Sequence, residues 1–338
     1  MFHSSFSLQG KSFKNTESLL SFTKELSQDL YVFLCDWFDP KSYITVHTSG
    51  STGTPKPIQL KKEQMKNSAY ATGLFFNLPA KTEALCCLPT QYIAGKMMVI
   101  RALTLGWHLD FTEPIRNPLK NALKNYHFCA MVPLQVQASL NHLNCIKKLI
   151  IGGGVVSPSL QLQLQKLNTQ CFATYGMTET ITHIAVKPLN HAQDSELYQT
   201  LPNIKVYQNE KKCLIIEAPS ICDQKIHTHD IVQLHSPNSF KWLGRYDNVI
   251  NSGGIKLHPE QIELKLAPSI QNRFFVCGMT DEILGEKLIL IVEGKKQAIS
   301  LKKLNRYETP KEIYFIDHFI ETDTKKIHRK KTLNLIGL

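Results

Sequence analysis

Long apolar runs are missing from this sequence, and none approaches the roughly 20 residues that a membrane-spanning helix requires. The N-terminal stretch MFHSSFSLQGKSFKN lacks a basic segment followed by an apolar one, so we expect no secretory leader. Glycine (17 residues) and proline (16 residues) are at ordinary levels, which excludes collagen-like and low-complexity chains. The 338 residues, 43% of them hydrophobic, instead predict one large domain and a small one.

Cysteine pairs at metal-binding or redox spacing are also absent. The nine cysteines are an odd number, are scattered along the chain and form no CxxC motif. Most lie in apolar strings such as ALCCLP and HFCAMVP, where cysteine packs as a small hydrophobic residue. This pattern argues against a disulfide framework or a zinc knuckle and predicts a cytoplasmic protein.

Positive charge is in excess, with a formal net charge of +11. Such an excess is compatible with nucleic acid, with an anionic membrane surface and with polyanionic small substrates. The order and spacing of motifs must therefore decide among these classes.

Strands and helices alternate between residues 43 and 176. Five apolar runs, each followed by a glycine, proline or hydroxyl cluster, predict strands at 43–47, 84–89, 127–133, 147–153 and 171–176. Helical patterns between them cover 61–76, 95–105, 133–143 and 158–167. Because the strands are apolar throughout, we predict an α/β fold whose parallel sheet is covered on both faces.

The pattern changes after about residue 200. Closely spaced strands with turns between them predict antiparallel β structure up to Gly244, and residues 247–338 predict a small α+β unit. No serine- and glycine-rich linker separates the two parts. We therefore predict a large domain of residues 1–246 and a small domain of residues 247–338, joined by a hinge near Tyr246–Asp247.

A glycine- and hydroxyl-rich segment follows the first of these strands and precedes a helical pattern. Its backbone amides, hydroxyls and one lysine would suit phosphate oxygens, although such a composition is also typical of a flexible surface loop. The Walker pattern fails because Pro55, the fifth residue after Gly50, occupies the position of its second glycine. The GxGxxG pattern, counted from Gly152, fails because Ser157 stands where its last glycine should be. The candidate phosphate-binding residues are Thr48, Ser49, Gly50, Ser51, Thr52, Gly53 and Lys56.

The string TSGSTGTPK resembles the signature phosphate loop of the adenylate-forming superfamily, which includes acyl-CoA ligases, nonribosomal adenylation domains and luciferases. Further motifs of that superfamily follow in the same order, so that the resemblance covers residues 48–332. It implies a large N-terminal domain with a parallel sheet and a β-rich subdomain, and a small mobile α+β C-terminal domain.

Two of these motifs follow predicted strands. Tyr175-Gly176-Met177-Thr178-Glu179 is similar to the family's YGxTE segment, in which the threonine contacts the nucleotide phosphate and the glutamate helps to hold Mg²⁺. A helix cap is the alternative interpretation of the Thr178-Glu179 pair. Gly153 and Gly154, in the string Gly152-Gly153-Gly154, match the family's adenine shelf, and an ordinary strand-to-helix turn is compatible with that role.

A ribose-binding motif is matched with one departure. Thr228-His229-Asp230 stands where the family carries Thr-Gly-Asp, whose aspartate binds the ribose hydroxyls. The resemblance assigns that role to Asp230, with histidine in place of glycine before it. No further ligand at metal-binding spacing supports a metal site at His227-x-His229-Asp230.

The C-terminal part matches the long block GRxDxxIxxGGxxxxPxEIE from Gly244 to Glu263. By resemblance, Arg245 contacts ribose and phosphate, Asp247 is the hinge, and Gly253 and Gly254 line the channel for the pantetheine thiol. Lys325-Lys326-Ile327-His328-Arg329 is similar to the family's terminal GKIxR, with lysine in place of glycine. Lys326 would then stabilise the adenylation transition state, whereas a solvated basic tail and a nucleic-acid patch are the alternatives.

The phosphate loop begins early, at residue 48, so the chain resembles a shortened member of the superfamily, similar to the 2-succinylbenzoate–CoA ligases of menaquinone synthesis. Residues 88–95 align with that group's LPLFHxSG segment, with Tyr92 at the aromatic or histidine position. Such a substrate has a second carboxylate, which requires a cation or hydroxyl donors. Candidates are Lys96, Arg101, Thr182 and His183, unless Lys96 and Arg101 face solvent on their helix.

The resemblance implies an ATP-dependent acid–CoA ligase that acts through an acyl-adenylate, with ATP, Mg²⁺ and CoA bound and a small carboxylic acid as substrate. A second hypothesis is an adenylating enzyme for another aryl or fatty acid, or one that loads a carrier protein. A third, from a different class, is a basic nucleic-acid-binding protein that uses the segment 325–331.

Overall fold

The computed structural model describes residues 2–47, 57–122, 124–191, 196–321 and 327–337. The α-helices in these ranges are α1 (Thr16–Leu26), α2 (Gln28–Phe38), α3 (Lys62–Phe76), α4 (Ile93–Leu105), α5 (Pro133–Ser139), α6 (Pro158–Leu164), α7 (Pro259–Leu266) and α8 (Arg329–Asn334). Short 3-10 helices cover Leu140–Cys145, Thr178–Thr180, Tyr246–Asn248 and Ala267–Ser269.

The strands of the described residues fall into three sheets. They are β1 (Ser7–Leu8), β2 (Lys11–Ser12), β3 (Tyr43–His47), β4 (Pro57–Lys61), β5 (Glu83–Cys86), β6 (His108–Phe111), β7 (Tyr126–Met131), β8 (Ile146–Ile151), β9 (Gln170–Gly176), β10 (His183–Pro188), β11 (Tyr198–Thr200), β12 (Lys205–Gln208), β13 (Cys213–Glu217), β14 (Ile226–Ser236), β15 (Ser239–Arg245), β16 (Ile250–Ser252), β17 (Ile255–Leu257), β18 (Phe274–Asp281), β19 (Gly285–Glu293) and β20 (Glu312–Ile316).

A large mixed sheet forms the body of the chain, in the order β12-β13-β14-β15-β11-β10-β9-β8-β7-β5-β6-β1-β2. The neighbours from β1 through β6, β5, β7 and β8 to β9 are parallel. Successive residues of a strand point to opposite faces, and along β5 Ala84 and Cys86 join one hydrophobic cluster while Leu85 joins another. Both faces are therefore buried, and the predicted α/β fold is confirmed.

From β9 onward the sheet becomes antiparallel, since β10 pairs antiparallel with β9 and the strands from β11 to β15 continue in that manner. This confirms the expected β-rich part after residue 200. The predicted start of α6 is also confirmed: Ser157 accepts a hydrogen bond from the Leu160 amide, and Pro158 occupies the first turn.

One strand prediction was wrong in its placement. Residues 43–47 form a strand, but β3 pairs antiparallel with β4 in a separate two-stranded sheet and is not part of the parallel sheet. The region before it, for which no element was predicted, contains α1 and α2. Asn15 caps α1, and Ser27 caps α2 by accepting from the Leu30 amide.

A second sheet follows residue 249, in the order β17-β16-β19-β18, with β20 beside β19. It shares no strand with the large sheet among the described residues, and α7 packs on it with Ile262 and Leu266 in its core. Arg329, at the start of α8, bonds to Glu263 at 2.9 Å and to the carbonyl of Val276 at 3.3 Å. This anchoring of α8 argues against a wholly solvated basic tail.

The structure also describes the state of the cysteines and the length of the helices. All nine cysteines are free, including Cys87 and Cys129, whose buried sulfur atoms lie 3.8 Å apart. Among the helices in the part of the chain that the structure describes, none combines the length and the apolar character needed to cross a bilayer.

Candidate active site

Eight of the sequence-predicted residues lie outside the described ranges, and their roles stay predictions. They are Thr48, Ser49, Gly50, Ser51, Thr52, Gly53 and Lys56 of the phosphate loop, and Lys326. The loop segment falls between β3 and β4, and Lys326 precedes α8.

The glycine string after β8 lies at the edge where the parallel strands end. β8 and β9 run side by side, with Ile151 opposite Ala173, so Gly153 and the end of β9 share that edge. A Cβ on Gly152 would lie 2.5 Å from the Thr174 hydroxyl oxygen, and Gly153 has a left-handed φ of +76°. The backbone conformation of this string therefore requires glycine. Open α/β sheets bind their ligands at this edge.

The segment from Gly176 to His183 is a tight, strained turn. A Cβ on Gly176 would lie 2.3 Å from the Thr182 carbonyl oxygen, because β10 returns close beside β9. Thr180 accepts from the Met177 amide at 2.9 Å and donates to the Thr182 carbonyl at 2.8 Å. Buried Ile181 adopts φ +66°, which is costly for a β-branched residue and persists only when its surroundings impose it.

The same turn presents Thr178 and Glu179 in a single 3-10 turn, with Glu179 exposed. The described residues contain no group of three histidine, cysteine, aspartate or glutamate side chains placed to hold a metal ion. Magnesium in phosphate-transfer sites is often held by only one or two protein carboxylates together with substrate phosphates. A single exposed carboxylate fits that requirement.

Tyr175 and Asp230, predicted separately, are in direct contact. The Tyr175 hydroxyl donates to Asp230 Oδ2 at 2.6 Å, and Trp242 Nε1 donates to Asp230 Oδ1 at 3.2 Å. Burial and the neighbouring Asp230 carboxylate raise the pKa of Tyr175 well above its usual value, so the hydroxyl keeps its proton. Arg245 Nη1 lies 3.8 Å from Asp230 Oδ1, which brings three predicted nucleotide-binding residues together.

Arg101 is a buried cation. Its side chain is 1% exposed on α4, so the alternative interpretation that it faces solvent was wrong. The guanidinium donates to the Thr182 hydroxyl at 3.1 Å and to the Thr72 hydroxyl at 3.3 Å. Burial lowers the pKa of Arg101 to about 9, so it remains charged at pH 7.

Arg101 forms no ion pair with a carboxylate of the described residues. An isolated charge in a protein interior is destabilising by several kcal/mol unless it is paired. Hydroxyl oxygens compensate only in part, and this cation therefore has unused capacity for an anion.

His183 adjoins this cation. Its Nδ1 lies 3.5 Å from Arg101 Nη2 and 3.4 Å from the Thr182 hydroxyl, while its buried Nε2 has no partner among the described residues. Because the guanidinium can only donate, Nδ1 accepts and Nε2 carries the hydrogen. Burial, with a smaller effect from the charge of Arg101, holds the pKa of His183 well below its usual value.

We expect this histidine to make stability depend on pH. As the pH falls below about 6.5, the unfolded chain protonates His183 while the folded chain does not, so the free energy of unfolding decreases by about 1.4 kcal/mol per pH unit. The decrease ends only at the pH where the folded chain also protonates His183, which is the folded-state pKa of that residue. Urea unfolding of wild type and His183→Gln between pH 5 and 8 measures it.

The wild-type protein should lose more stability at low pH than His183→Gln. His235→Gln, at an exposed histidine, is the control and should follow the wild-type profile. Parallel curves for all three proteins would contradict the assignment.

The other predicted pocket residues do not join Arg101 through any contact of the described residues. Tyr92 is 53% exposed at the start of α4. Lys96 is partly buried with Nζ 4.6 Å from the ring centroid of Phe33, and burial lowers its pKa. Gly95 is fixed by close approach, since a Cβ there would lie 2.2 Å from the Pro89 carbonyl oxygen.

The predicted hinge and thiol-channel residues lie at the start of the small sheet. Gly253 and Gly254 form the exposed β16–β17 turn with φ of +57° and +81°. Asp247 is bonded to His229 Nδ1 at 2.9 Å, a contact that sequence reasoning missed. The departure from glycine at position 229 was the only signal that could have found it.

Similarity to known proteins identifies the family of this chain. The pattern of the AMP-binding enzyme family matches residues 17–212, more than half of the chain. The chain belongs to the AMP-binding enzyme family. This membership confirms the resemblance to the adenylate-forming superfamily that the phosphate-loop motif indicated.

The chain is also similar to individual ligases and solved structures. A 2-succinylbenzoate–CoA ligase of Listeria innocua is 24% identical over 91% of this chain and 74% of the ligase. The solved acyl-CoA synthetase (AMP-forming)/AMP-acid ligase II-like protein of Dyadobacter fermentans is 38% identical, with 90% of this chain and 93% of that one covered and a TM-score of 0.62. The O-succinylbenzoate coenzyme A synthetase of Bacillus subtilis, solved with ATP and magnesium ion, shares the fold at 18% identity, a TM-score of 0.73 and 86% and 69% coverage.

By family, the chain is an AMP-forming acid–thiol ligase of the acyl-CoA synthetase type. The predicted fold class and enzyme class are thereby confirmed.

Proposed function

We propose that this ligase activates 2-succinylbenzoate with ATP and transfers the acyl group to CoA. The observation that carries the choice of acid is the buried Arg101 cation without a carboxylate partner among the described residues. A substrate with a second carboxylate would supply the missing anion. Several similar proteins are named 2-succinylbenzoate–CoA ligase, including those of Listeria innocua and Escherichia coli.

Three side chains would hold the second carboxylate. Arg101 supplies the charge, and the Thr182 hydroxyl already accepts from it at 3.1 Å and fixes its direction. The unpartnered Nε2–H of His183 would donate a further hydrogen bond to the acid. Since all three lie beside the end of β9, this arrangement would leave the succinyl carboxylate free to meet the nucleotide.

In the first half-reaction, an oxygen of the succinyl carboxylate attacks the α-phosphorus of ATP. The bond from that phosphorus to the bridging oxygen breaks, pyrophosphate leaves, and the acyl-adenylate remains. The amides and hydroxyls of residues 48–56 and the ammonium of Lys326 would oppose the charge that develops on the phosphate oxygens. Thr178 would contact the phosphate, while Asp230 and Arg245 would bind the ribose.

Magnesium would be held by Glu179 together with phosphate oxygens of ATP, and when bound it neutralises charge on the phosphates. Glycine backbone at Gly153 and Gly154 would form the surface on which the adenine rests. These assignments rest on the family motifs and on the shared edge of the sheet.

In the second half-reaction, the CoA thiol attacks the acyl carbon, AMP leaves and the thiol proton is released. The proposed small domain, residues 247–338, would turn about Asp247 between the two steps. This turn would withdraw Lys326 and bring Gly253 and Gly254 to the thiol channel. Such conformational steps often limit turnover.

The decisive experiment is a ligation assay with matched acids. With ATP, Mg²⁺ and CoA, 2-succinylbenzoate should release pyrophosphate and form a thioester. 4-Oxo-4-phenylbutanoate, which lacks the ring carboxylate, should react with a kcat/KM at least ~100-fold lower, because a buried charge pair is lost.

Other outcomes would identify the alternatives. Equal use of both acids, or preference for a fatty acid, would reject 2-succinylbenzoate. Transfer to a phosphopantetheinyl carrier protein but not to CoA would identify a carrier-loading enzyme. Steeply salt-dependent RNA binding without ATP–pyrophosphate exchange would favour the nucleic-acid hypothesis.

A further inference from the structure

The departure from the family pattern at position 229 touches the predicted hinge. His229 lies on β14, and Asp247 lies in the 3-10 helix that follows β15. His229 Nδ1 is 2.9 Å and 3.1 Å from the two carboxylate oxygens of Asp247. Arg245 Nη2 donates to the same carboxylate at 3.3 Å, so the hinge carboxylate is held from two strands of the large sheet.

A second bond crosses the same junction from the other side. Gln261, on α7, donates its amide hydrogens to the carbonyls of Leu243 at 3.0 Å and Trp242 at 3.4 Å. The family block quoted above has glutamate at this position, and an ionised carboxylate cannot donate to a carbonyl. Both departures, His229 and Gln261, therefore bind the small unit to the end of the large sheet.

The residues around these bonds pack closely where the small unit meets the end of the large sheet. A Cβ on Gly244 would lie 2.3 Å from Glu260 Oε2 and 3.6 Å from Glu260 Cβ, so β15 and α7 are in close contact. Asn248 donates to Glu260 Oε1 at 2.6 Å across the 3-10 turn. Tyr246, which precedes Asp247, has the Lys211 Nζ over its ring at 5.2 Å.

The bonds between His229, Gln261 and their partners are weak individually, which limits how far they can shift the equilibrium between domain arrangements. The side chains of His229 and Asp247 are 62% and 53% exposed, and exposed pairs contribute little each. Two such bonds would therefore shift an equilibrium between arrangements a few-fold and would not lock it.

We propose that His229 and Gln261 are positioning residues that hold the segment 246–261 against β14 and β15, and that the domain turn between the half-reactions begins when these bonds break. Neither residue is among those assigned above to ATP, Mg²⁺, CoA or the acid. The kinetic part of this inference rests on the proposed two-step function, whereas the holding contact does not.

Hydrogen exchange without any ligand tests the contact itself. In His229→Gly and in Gln261→Glu, the amides of residues 246–250 should exchange about 3- to 10-fold faster than in wild type. His229→Gln keeps an N–H donor and should restore most of the protection. His227→Gly is the control, since His227 is an exposed residue of the same strand with no contact to Asp247, and it should leave exchange unchanged. Unchanged exchange in both test variants would overturn the proposal.

Kinetics test the role in the turn. Two rate constants are compared: that of complete ligation in the steady state and that of pyrophosphate release in a single turnover. Their ratio should change at least 3-fold in His229→Gly and in Gln261→Glu, while the KM for ATP stays unaltered. Faster exchange with an unchanged ratio would overturn the kinetic role. If no acid is adenylated, the proposed function fails, and the exchange result still decides whether the contact holds the junction.

Discussion

Replacing Arg101 by methionine should lower kcat/KM for 2-succinylbenzoate at least ~100-fold, while turnover of 4-oxo-4-phenylbutanoate stays within a few-fold of wild type. Removing one member of a buried charge pair is destabilising by about 2–5 kcal/mol in a complex, and 1.4 kcal/mol corresponds to a factor of ten. Only the acid that carries the ring carboxylate forms this pair. Steady-state ligation assays with the two acids measure the difference.

The same substitution should not reduce the stability of the ligand-free protein. Methionine is apolar and of similar length, so it removes a buried cation that has no carboxylate partner among the described residues. Replacing buried ionic groups by apolar ones of similar volume is often neutral or stabilising. We expect an unchanged or higher melting temperature, measured by calorimetry without substrates.

Arg116→Met is the matched control, because Arg116 is exposed in the loop after β6. It should change neither substrate preference nor melting temperature. If Arg101→Met lowered kcat/KM equally for both acids and also lowered the melting temperature, Arg101 would be a structural residue and not a determinant of specificity.

Lys326→Ala should slow pyrophosphate release by a factor of about 100 to 1,000, the usual loss when one group that stabilises a developing oxyanion is removed. Acyl transfer to CoA from a supplied acyl-adenylate should remain within a few-fold of wild type, because the lysine would act only in the first half-reaction. Rapid-quench measurement of each half-reaction separates the two.

Lys325→Ala provides the control for this substitution, since it removes the neighbouring charge. It should leave pyrophosphate release nearly unchanged. Adenylation that proceeds at the wild-type rate in Lys326→Ala, or an equal loss in both variants, would remove Lys326 from the mechanism and leave only a general effect of positive charge.

The strands of the parallel sheet could be predicted because each carries its own signal. Residues such as Leu149, Ile150 and Ile151 are apolar without alternation, as expected when both faces are buried. β3 instead alternates, with Ile44 and Val46 buried and Thr45 exposed between them, as in a half-buried strand. Its partner is β4, beyond residues 48–56, and a run of five residues does not encode its partner. The prediction therefore found the strand and assigned it to the wrong sheet.

The N-terminal helices were missed although their caps are present in the sequence. Asn15 and Ser18 form a capping box, and Ser27 caps the next helix. The helix α1 buries only Leu19 and Thr23, so its apolar stripe is too narrow to stand out from composition alone.

The candidate site was predictable as a set of motifs but not as a set of contacts. Arg101 and His183 lie far apart in the sequence, and only the return of β10 beside β9 brings His183 to the helix that carries Arg101. For the bond between His229 and Asp247, the departure from glycine at position 229 marked one partner, but the other depends on where the chain leaves β15. Motif spacing identifies residue types, whereas these distances depend on tertiary packing.

The continuity of the large sheet has a consequence for how such a ligase can acquire a different acid. Tyr175 bonds to Asp230, and the neighbouring Gly176 pairs in register with His183, so one strand end serves both nucleotide and acid. A backbone shift that enlarged the binding site for the acid would also displace the residues that bind the ribose. New substrates should therefore arise by exchange of side chains at positions such as 101 and 183, with the scaffold conserved in geometry.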